Sequence, residues 1–312
     1  MTNKRIQLRY PSDRCLFVLG CDRSGTTLLQ RMLNAHSKIM VTYEWDILNR
    51  YERVFRDHGL EALADVVEKR GVLKARSILA DQELQGRRDD HLFAMVIARL
   101  FREHAKSQGK QYWGDKYPGY TRKVGRLAEL FPNAFFVHIV RDPRAVALSW
   151  EKTRWGPNTA PAAATEWARR VEHARVAMQD LSAERSIAVL YEDLVNHPEQ
   201  TLRNICRKFG VDFQPQMLET STKTGFNNPN LDRLHPLVNL APQRSVLEKW
   251  KTQSPRVLTH IEARCYDEMQ KWNYVPLNAK QPVVPIAWRA YYRLLGKLRS
   301  LHRRKVIPLL NR

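Results

Sequence analysis

The stretch that most restricts the fold of this chain is residues 15–34. Cys15–Leu19 (CLFVL) is an unbroken apolar run closed by Gly20, and Thr26–Asn34 (TTLLQRMLN) repeats Leu28, Leu29, Met32 and Leu33 at helical spacing. A strand without alternation is covered on both faces, as parallel strands inside a sheet are. Passing from such a strand into a helix through residues 20–25 alone is how a unit of an open α/β sheet begins.

Further along, Ile39–Tyr43 reads as a second strand, Phe135–Val140 (FFVHIV) as a strongly apolar buried one and Ser186–Leu190 as another buried one. Pro143 suits the first turn of a helix, with Asp142 as its N-cap. Residues 165–182 and Pro198–Phe209 read as helices, the latter ended by Gly210. Residues 46–108 lack strand signals and place their apolar residues at helical intervals, so they are expected to form a helical insertion. The expected fold class is α/β: a P-loop-like, doubly wound parallel sheet flanked by helices, with that insertion. The expected division is a domain over 1–282 and a basic amphipathic tail over 283–312. Asn227–Pro242, rich in Asn and Pro, is expected to be a long loop.

The loop Gly20-Cys-Asp-Arg-Ser-Gly-Thr-Thr27 has the spacing of a phosphate loop. Glycines permit a sharp turn that aims several backbone N–H groups inward, and the following helix adds the positive end of its dipole. A nucleoside triphosphatase needs a lysine where this chain has Thr26, so ordinary ATP or GTP chemistry is disfavoured. Arg23 can supply the charge instead. The spacing alone also fits a plain strand-to-helix turn; the strand before it and the helix after it supply the context for anion binding.

Arg23-Ser-Gly-Thr-Thr27 after a strand resembles the 5′-phosphosulfate loop of sulfotransferases that use 3′-phosphoadenosine 5′-phosphosulfate (PAPS). Phe136-Val-His-Ile-Val-Arg141-Asp-Pro-Arg144, with Ser149 beyond it, resembles their 3′-phosphate motif. Tyr191-Glu-Asp-Leu194 and Lys249-Trp250 match later elements in the same order. Within that family the pattern is most similar to tyrosylprotein sulfotransferases and their bacterial relatives: Ala35-His36 and then Glu44 follow the loop, and Gly114-Asp-Lys116 precedes Phe131-Pro-Asn133. Two departures stand out. Asp22 occupies the place of a proline before the loop arginine, and Trp45-Asp46 stands where an arginine follows the glutamate.

The resemblance implies transfer of a sulfuryl group from PAPS to a hydroxyl by in-line displacement, without a metal. Arg23, Ser24, Gly25, Thr26 and Thr27 would hold the 5′-phosphosulfate, and Arg141 with Ser149 the 3′-phosphate. Tyr191 would touch the nucleotide, and Ser245 and Lys249 would close over it. Glu44 would be the general base, Lys116 the stabiliser of the transition state with Asp115 orienting it, and Arg23 a second stabiliser of the leaving oxygen. His36 and His138 are expected to be structural. Acceptors left open are a peptide tyrosine, a carbohydrate, a lipid or a small metabolite. The competing readings are a kinase with a degenerate phosphate loop and a non-enzymatic basic protein that binds nucleic acid or membrane. The first expects a metal-binding carboxylate pair that the sequence does not offer, and the second leaves the loop and Arg141 unexplained.

The formal net charge is +20, which calls for an anionic partner. Half of it lies after Glu268, where ten lysines and arginines from Lys271 to Arg312 meet no acid. There Trp288, Tyr291, Tyr292, Leu294, Leu295, Leu298 and Leu301 recur at near-helical spacing among the cations, a pattern suited to peripheral contact with an anionic membrane. Nucleic acid is not the expected partner. Cys15, Cys21, Cys206 and Cys265 show neither zinc nor disulfide spacing. With no apolar leader and no run long enough to span a bilayer, a cytoplasmic location, peripheral to a membrane through the tail, is the expectation.

Overall fold

The structure, a computed structural model, describes residues 13–71, 74–79, 89–153, 155–219 and 244–310, with side chains of the last helix as far as Leu301. The expected loop Asn227–Pro242 lies outside the described residues.

Five parallel strands form one sheet in the order β2-β3-β1-β4-β5, with β1 Leu16–Leu19, β2 Ile39–Tyr43, β3 Tyr112–Lys116, β4 Phe135–Val140 and β5 Ser186–Leu190. Alternation within β1 sends Leu16 and Val18 to one core and Phe17 and Leu19 to the other. On the first face pack α1 (Thr26–Asn34), α8 (Tyr191–Asn196) and α9 (Pro198–Phe209). On the second pack α2 (Arg53–Glu68), the single turn α3 (Ala75–Ile78), α4 (Asp90–Ser107) and α5 (Val124–Leu130). Phe17 is its hub, with ring centroids of Tyr120, Phe131, Phe136 and Trp113 at 5.6–6.0 Å. The helices between β2 and β3 are therefore the cover of one sheet face as well as an insertion.

Two further helices, α6 (Pro143–Glu151) and α7 (Ala160–Gln179), pack against α10 (Pro255–Lys271). Residues 286–310 form α11, which carries the tail. Local signals set several ends as expected. Asp142 accepts from the Arg144 N–H at 2.8 Å ahead of Pro143, and Gly210 closes α9 with φ 83°.

Two readings need correction, and one strand carried no reading. Tyr112–Lys116 (YWGDK) has no strand signature, yet it is β3, paired to β1 and β2 on either side. Ser186–Leu190 pairs with β4 alone and is an edge strand with Ala188 exposed, not a fully covered one. The helix read over 165–182 runs from Ala160, entered through Pro161.

Candidate active site

Every strand delivers a residue to the same end of the sheet, its carboxyl end, where open α/β sheets bind ligands. Register brings Val18 level with Lys116 and Lys116 level with Tyr43, while Val140 lies beside Leu190. Gly20, Glu44, Arg141 and Tyr191 are the next residues of β1, β2, β4 and β5, and Lys116 is the last of β3.

After β1 the chain turns through residues 20–25. Arg23 adopts φ 68° and Gly25 φ 92°, so the second position suits glycine and the first carries backbone strain. A Cβ on Gly20 would sit 2.5 Å from the Ile139 carbonyl oxygen, and one on Gly25 would sit 2.3 Å from Cδ2 of Tyr191. Both glycines are therefore required by close approach. Thr26 and Thr27 open α1, so the free N–H groups of its first turn and its dipole end face the loop. The Ser24 hydroxyl is buried with no partner among the described residues.

Arg141 converges on this loop from β4. Its guanidinium donates to the Arg23 carbonyl at 3.2 Å and to the Val246 carbonyl at 3.3 Å, and lies 4.4 Å from the centre of the Tyr191 ring. Its Nε is buried and unpartnered among the described residues. From α6, Ser149 accepts a hydrogen bond from Arg23 Nε at 3.1 Å. Burial holds the Arg23 guanidinium below its ordinary range, and the neighbouring positive Arg141 adds to that shift. Two like charges held together beside a buried hydroxyl and a helix N-terminus suit a multiply charged anion. A nucleotide bearing 5′ and 3′ phosphate groups fits that donor set.

Glu44 and Lys116 form the other side. Lys116 is 0% exposed, with Nζ 2.7 Å from Glu44 Oε1, 3.3 Å from Thr27 Oγ1 and 3.6 Å from the centre of the Tyr43 ring. Burial lowers its pKa, and Glu44 pulls it part of the way back. Glu44 has φ 51° and is locked there: its N–H donates to the Lys116 carbonyl at 2.8 Å, and Arg70 donates to its carbonyl at 3.0 Å. A left-handed glutamate whose side chain stays 35% exposed is a strained residue held ready at a site.

Asp115 does not orient Lys116 directly. Neighbours in a strand face opposite ways, and the Asp115 carboxylate instead accepts from Thr42 Oγ1 and Tyr120 OH, both at 2.6 Å, and from the Trp45 N–H at 3.2 Å. Burial pushes it up to about 6 against those donors. It fixes the turn that presents Glu44.

Asp22 turns away from the loop and pairs with Arg170 of α7 at 2.5 Å, so no carboxylate faces the anion site from that position. Ser245 and Lys249 are exposed in two short 3₁₀ turns, Arg244–Val246 and Lys249–Thr252. It is the backbone of Val246, rather than either side chain, that reaches Arg141. His36 is pinned by the Asp212 carbonyl and the Lys38 N–H. His138 is wholly buried, pushed down to about 3 by desolvation, and stands edge-on to Trp272. Sequence reading missed Tyr43 and Arg70. Tyr43 carried a signal, as the last residue of a strand that ends at the site; Arg70 carried none, because it reaches Glu44 from the turn just beyond α2.

The sequence model of the sulfotransferase family matches residues 15–215. Protein-tyrosine sulfotransferase 2 of Gallus gallus is 28% identical over 225 residues, which is 69% of this chain and 56% of that protein. Nodulation protein NoeE of Sinorhizobium fredii is 29% identical over 229 residues, 65% of this chain and 51% of that one. The chain spans about half the length of these curated relatives. Among solved structures, the sulfotransferase domain from the curacin biosynthetic pathway superposes with a TM-score of 0.65 over 84% of this chain and 98% of its own length, at 23% identity, a likeness of fold. With its family match running from β1 past the end of α9, the chain belongs to the sulfotransferase family.

Proposed function

We propose that this protein transfers a sulfuryl group from PAPS to an acceptor hydroxyl. One observation carries the reading: Arg141 and Ser149, from β4 and α6, both meet Arg23 of the loop after β1. That convergence suits an anion with two separated phosphate groups. Ser24, Gly25, Thr26 and Thr27 would hold the 5′-phosphosulfate through backbone N–H groups and hydroxyls, with Arg141 and Ser149 on the 3′-phosphate and Tyr191 beside the nucleotide. The donor supplies the activated sulfuryl group. The acceptor oxygen would form the new S–O bond as the bond to the 5′-phosphate oxygen breaks, leaving adenosine 3′,5′-bisphosphate. Glu44 would take the acceptor proton. Lys116, which spans Glu44 and Thr27, would stabilise negative charge gathering on the bridging oxygen, aided by Arg23. The names of the tyrosine-sulfating relatives make a peptide tyrosine the first acceptor to try, followed by carbohydrate, lipid and small-metabolite hydroxyls.

Calorimetry with adenosine 3′,5′-bisphosphate tests the donor assignment. Arg141→Ala removes a charge-assisted bond to the 3′-phosphate and should weaken binding by about tenfold to a hundredfold. Unchanged affinity refutes that role. Stabilisation by ATP with magnesium, and none by the bisphosphate, overturns the whole reading in favour of a kinase.

A further inference from the structure

The outer face of α11 takes no part in the sulfotransferase site. The helix is fastened to the domain by one side. Trp288 and Tyr292 pack on His260 of α10 at 5.7 and 5.1 Å, and Arg256 stacks on Trp288 at 3.4 Å. Asn158 donates to the Gly296 carbonyl, and Arg299 pairs with Glu151 at the end of α6. With ~100° per residue, these contacts occupy one side only. A helix docked in this way ordinarily offers water a polar outer face. Here the outer face is apolar: Tyr291, Leu294, Leu298 and Leu301 are 50%, 59%, 55% and 55% exposed, and they fall within ~80° of one another around the axis. The adjoining ~80° carries Arg289, Arg293 and Lys297, all exposed.

An exposed leucine stripe of this kind marks a binding surface, and the charge beside it selects the occupant. No acid follows Glu268 to neutralise the cations. A second copy laid face to face would set like charges against like. An anionic bilayer satisfies both sectors at once. Among the described residues no helix is long and apolar enough to cross a membrane, so the contact is with the surface. We propose that α11 is an interfacial anchor, its leucine stripe sinking to the headgroup boundary while Arg289, Arg293 and Lys297 meet lipid phosphates. Because Arg299 ties the helix to Glu151, two residues beyond Ser149, anchoring holds the donor site in a fixed attitude to the lipid surface.

The test is sedimentation of the full chain with phosphatidylcholine vesicles, with and without phosphatidylserine. Binding is expected only with the anionic lipid and is weakened by salt. Replacing Arg289, Arg293 and Lys297 with glutamine should cost about fivefold per cation. Leu294→Glu with Leu298→Glu should abolish binding while leaving bisphosphate affinity and melting temperature unchanged, since both side chains already face solvent. Equal sedimentation with both vesicle types, or undiminished binding of either variant, overturns the proposal. So does a concentration-dependent dimer that the leucine variants dissolve and that binds no vesicles, which assigns the stripe to self-association.

Discussion

Replacing Gly25 with alanine tests how the loop after β1 is built against β5. The cost has two parts. Gly25 sits at φ 92°, where any other L-residue loses about 1–2 kcal/mol. Its new methyl would also sit 2.3 Å from Cδ2 and 2.6 Å from Cε2 of Tyr191. Neither can yield freely, because the loop backbone is fixed by α1 and the tyrosine ring is buried and stacked on Arg141. Relief of such overpacking costs about 1–3 kcal/mol. The variant should therefore lose about 2–5 kcal/mol of unfolding free energy and bind adenosine 3′,5′-bisphosphate more weakly, since moving the ring moves Arg141. The two parts separate in a double-mutant cycle with Tyr191→Ala followed by urea unfolding. Without the ring only the backbone cost remains, so the double variant should be more stable than additivity predicts by about 1–3 kcal/mol. Additive losses would show that the ring does not bear on Gly25, and the account of the loop would fail.

Asp22→Asn removes one of the two carboxylates that pair with Arg170, Glu166 being the other, and should cost about 0.5–1.5 kcal/mol of stability while leaving bisphosphate affinity unchanged; a gain in affinity would mean that the carboxylate does act on the loop. Lys116→Met removes one partner of the ion pair with Glu44, so the melting temperature should fall, and the transfer rate of the folded variant should fall by on the order of a hundredfold to a thousandfold. A folded variant that keeps the parent transfer rate would make Lys116 structural. Glu44→Gln bears on pH dependence. Burial sets the folded pKa of Lys116 below its unfolded value, so the unfolded chain binds the extra proton and stability rises as pH climbs through the folded pKa toward the unfolded one. Removing Glu44 lowers the folded pKa further. The rise in melting temperature should then begin at lower pH than in the parent protein, and coincident profiles would refute the coupling.

What could be read in the sequence was local. The strand, loop and helix of residues 16–34, the Asp142–Pro143 start of α6 and the Pro198–Gly210 limits of α9 each carry their signal within a few residues. Strand β3 shows what could not. Tyr112–Lys116 holds a glycine, an aspartate and a lysine, all poor strand formers. It is a strand because β1 and β2 supply ladder partners on both sides and because each awkward residue has a reason to be there. A Cβ on Gly114 would sit 2.2 Å from the Leu16 carbonyl, Asp115 is held by three donors, and Lys116 is neutralised by Glu44. These reasons come from residues up to about a hundred positions away in the chain. The same holds for Asp22, an apparent misfit in the loop until Arg170 is placed opposite it.

The two halves of the site therefore differ in kind. The anion-binding half is made by backbone geometry that glycines and a helix start announce locally. The Glu44–Lys116 half exists only through pairing: a lysine without exposure and a glutamate at φ 51° would each be costly alone. Breaking a buried ion pair costs about 3–5 kcal/mol, so each of these residues stabilises the unfavourable placement of the other. Asp115 shares in this, because it accepts from the Trp45 N–H immediately after Glu44 while its own chain neighbour is Lys116. One short strand thus sets the backbone of the candidate base from one face and its counter-charge from the other. That explains why a glycine, an aspartate and a lysine occupy the sheet at this position: each meets a contact that the neighbouring strands and Glu44 supply, and those strands make the conformation affordable.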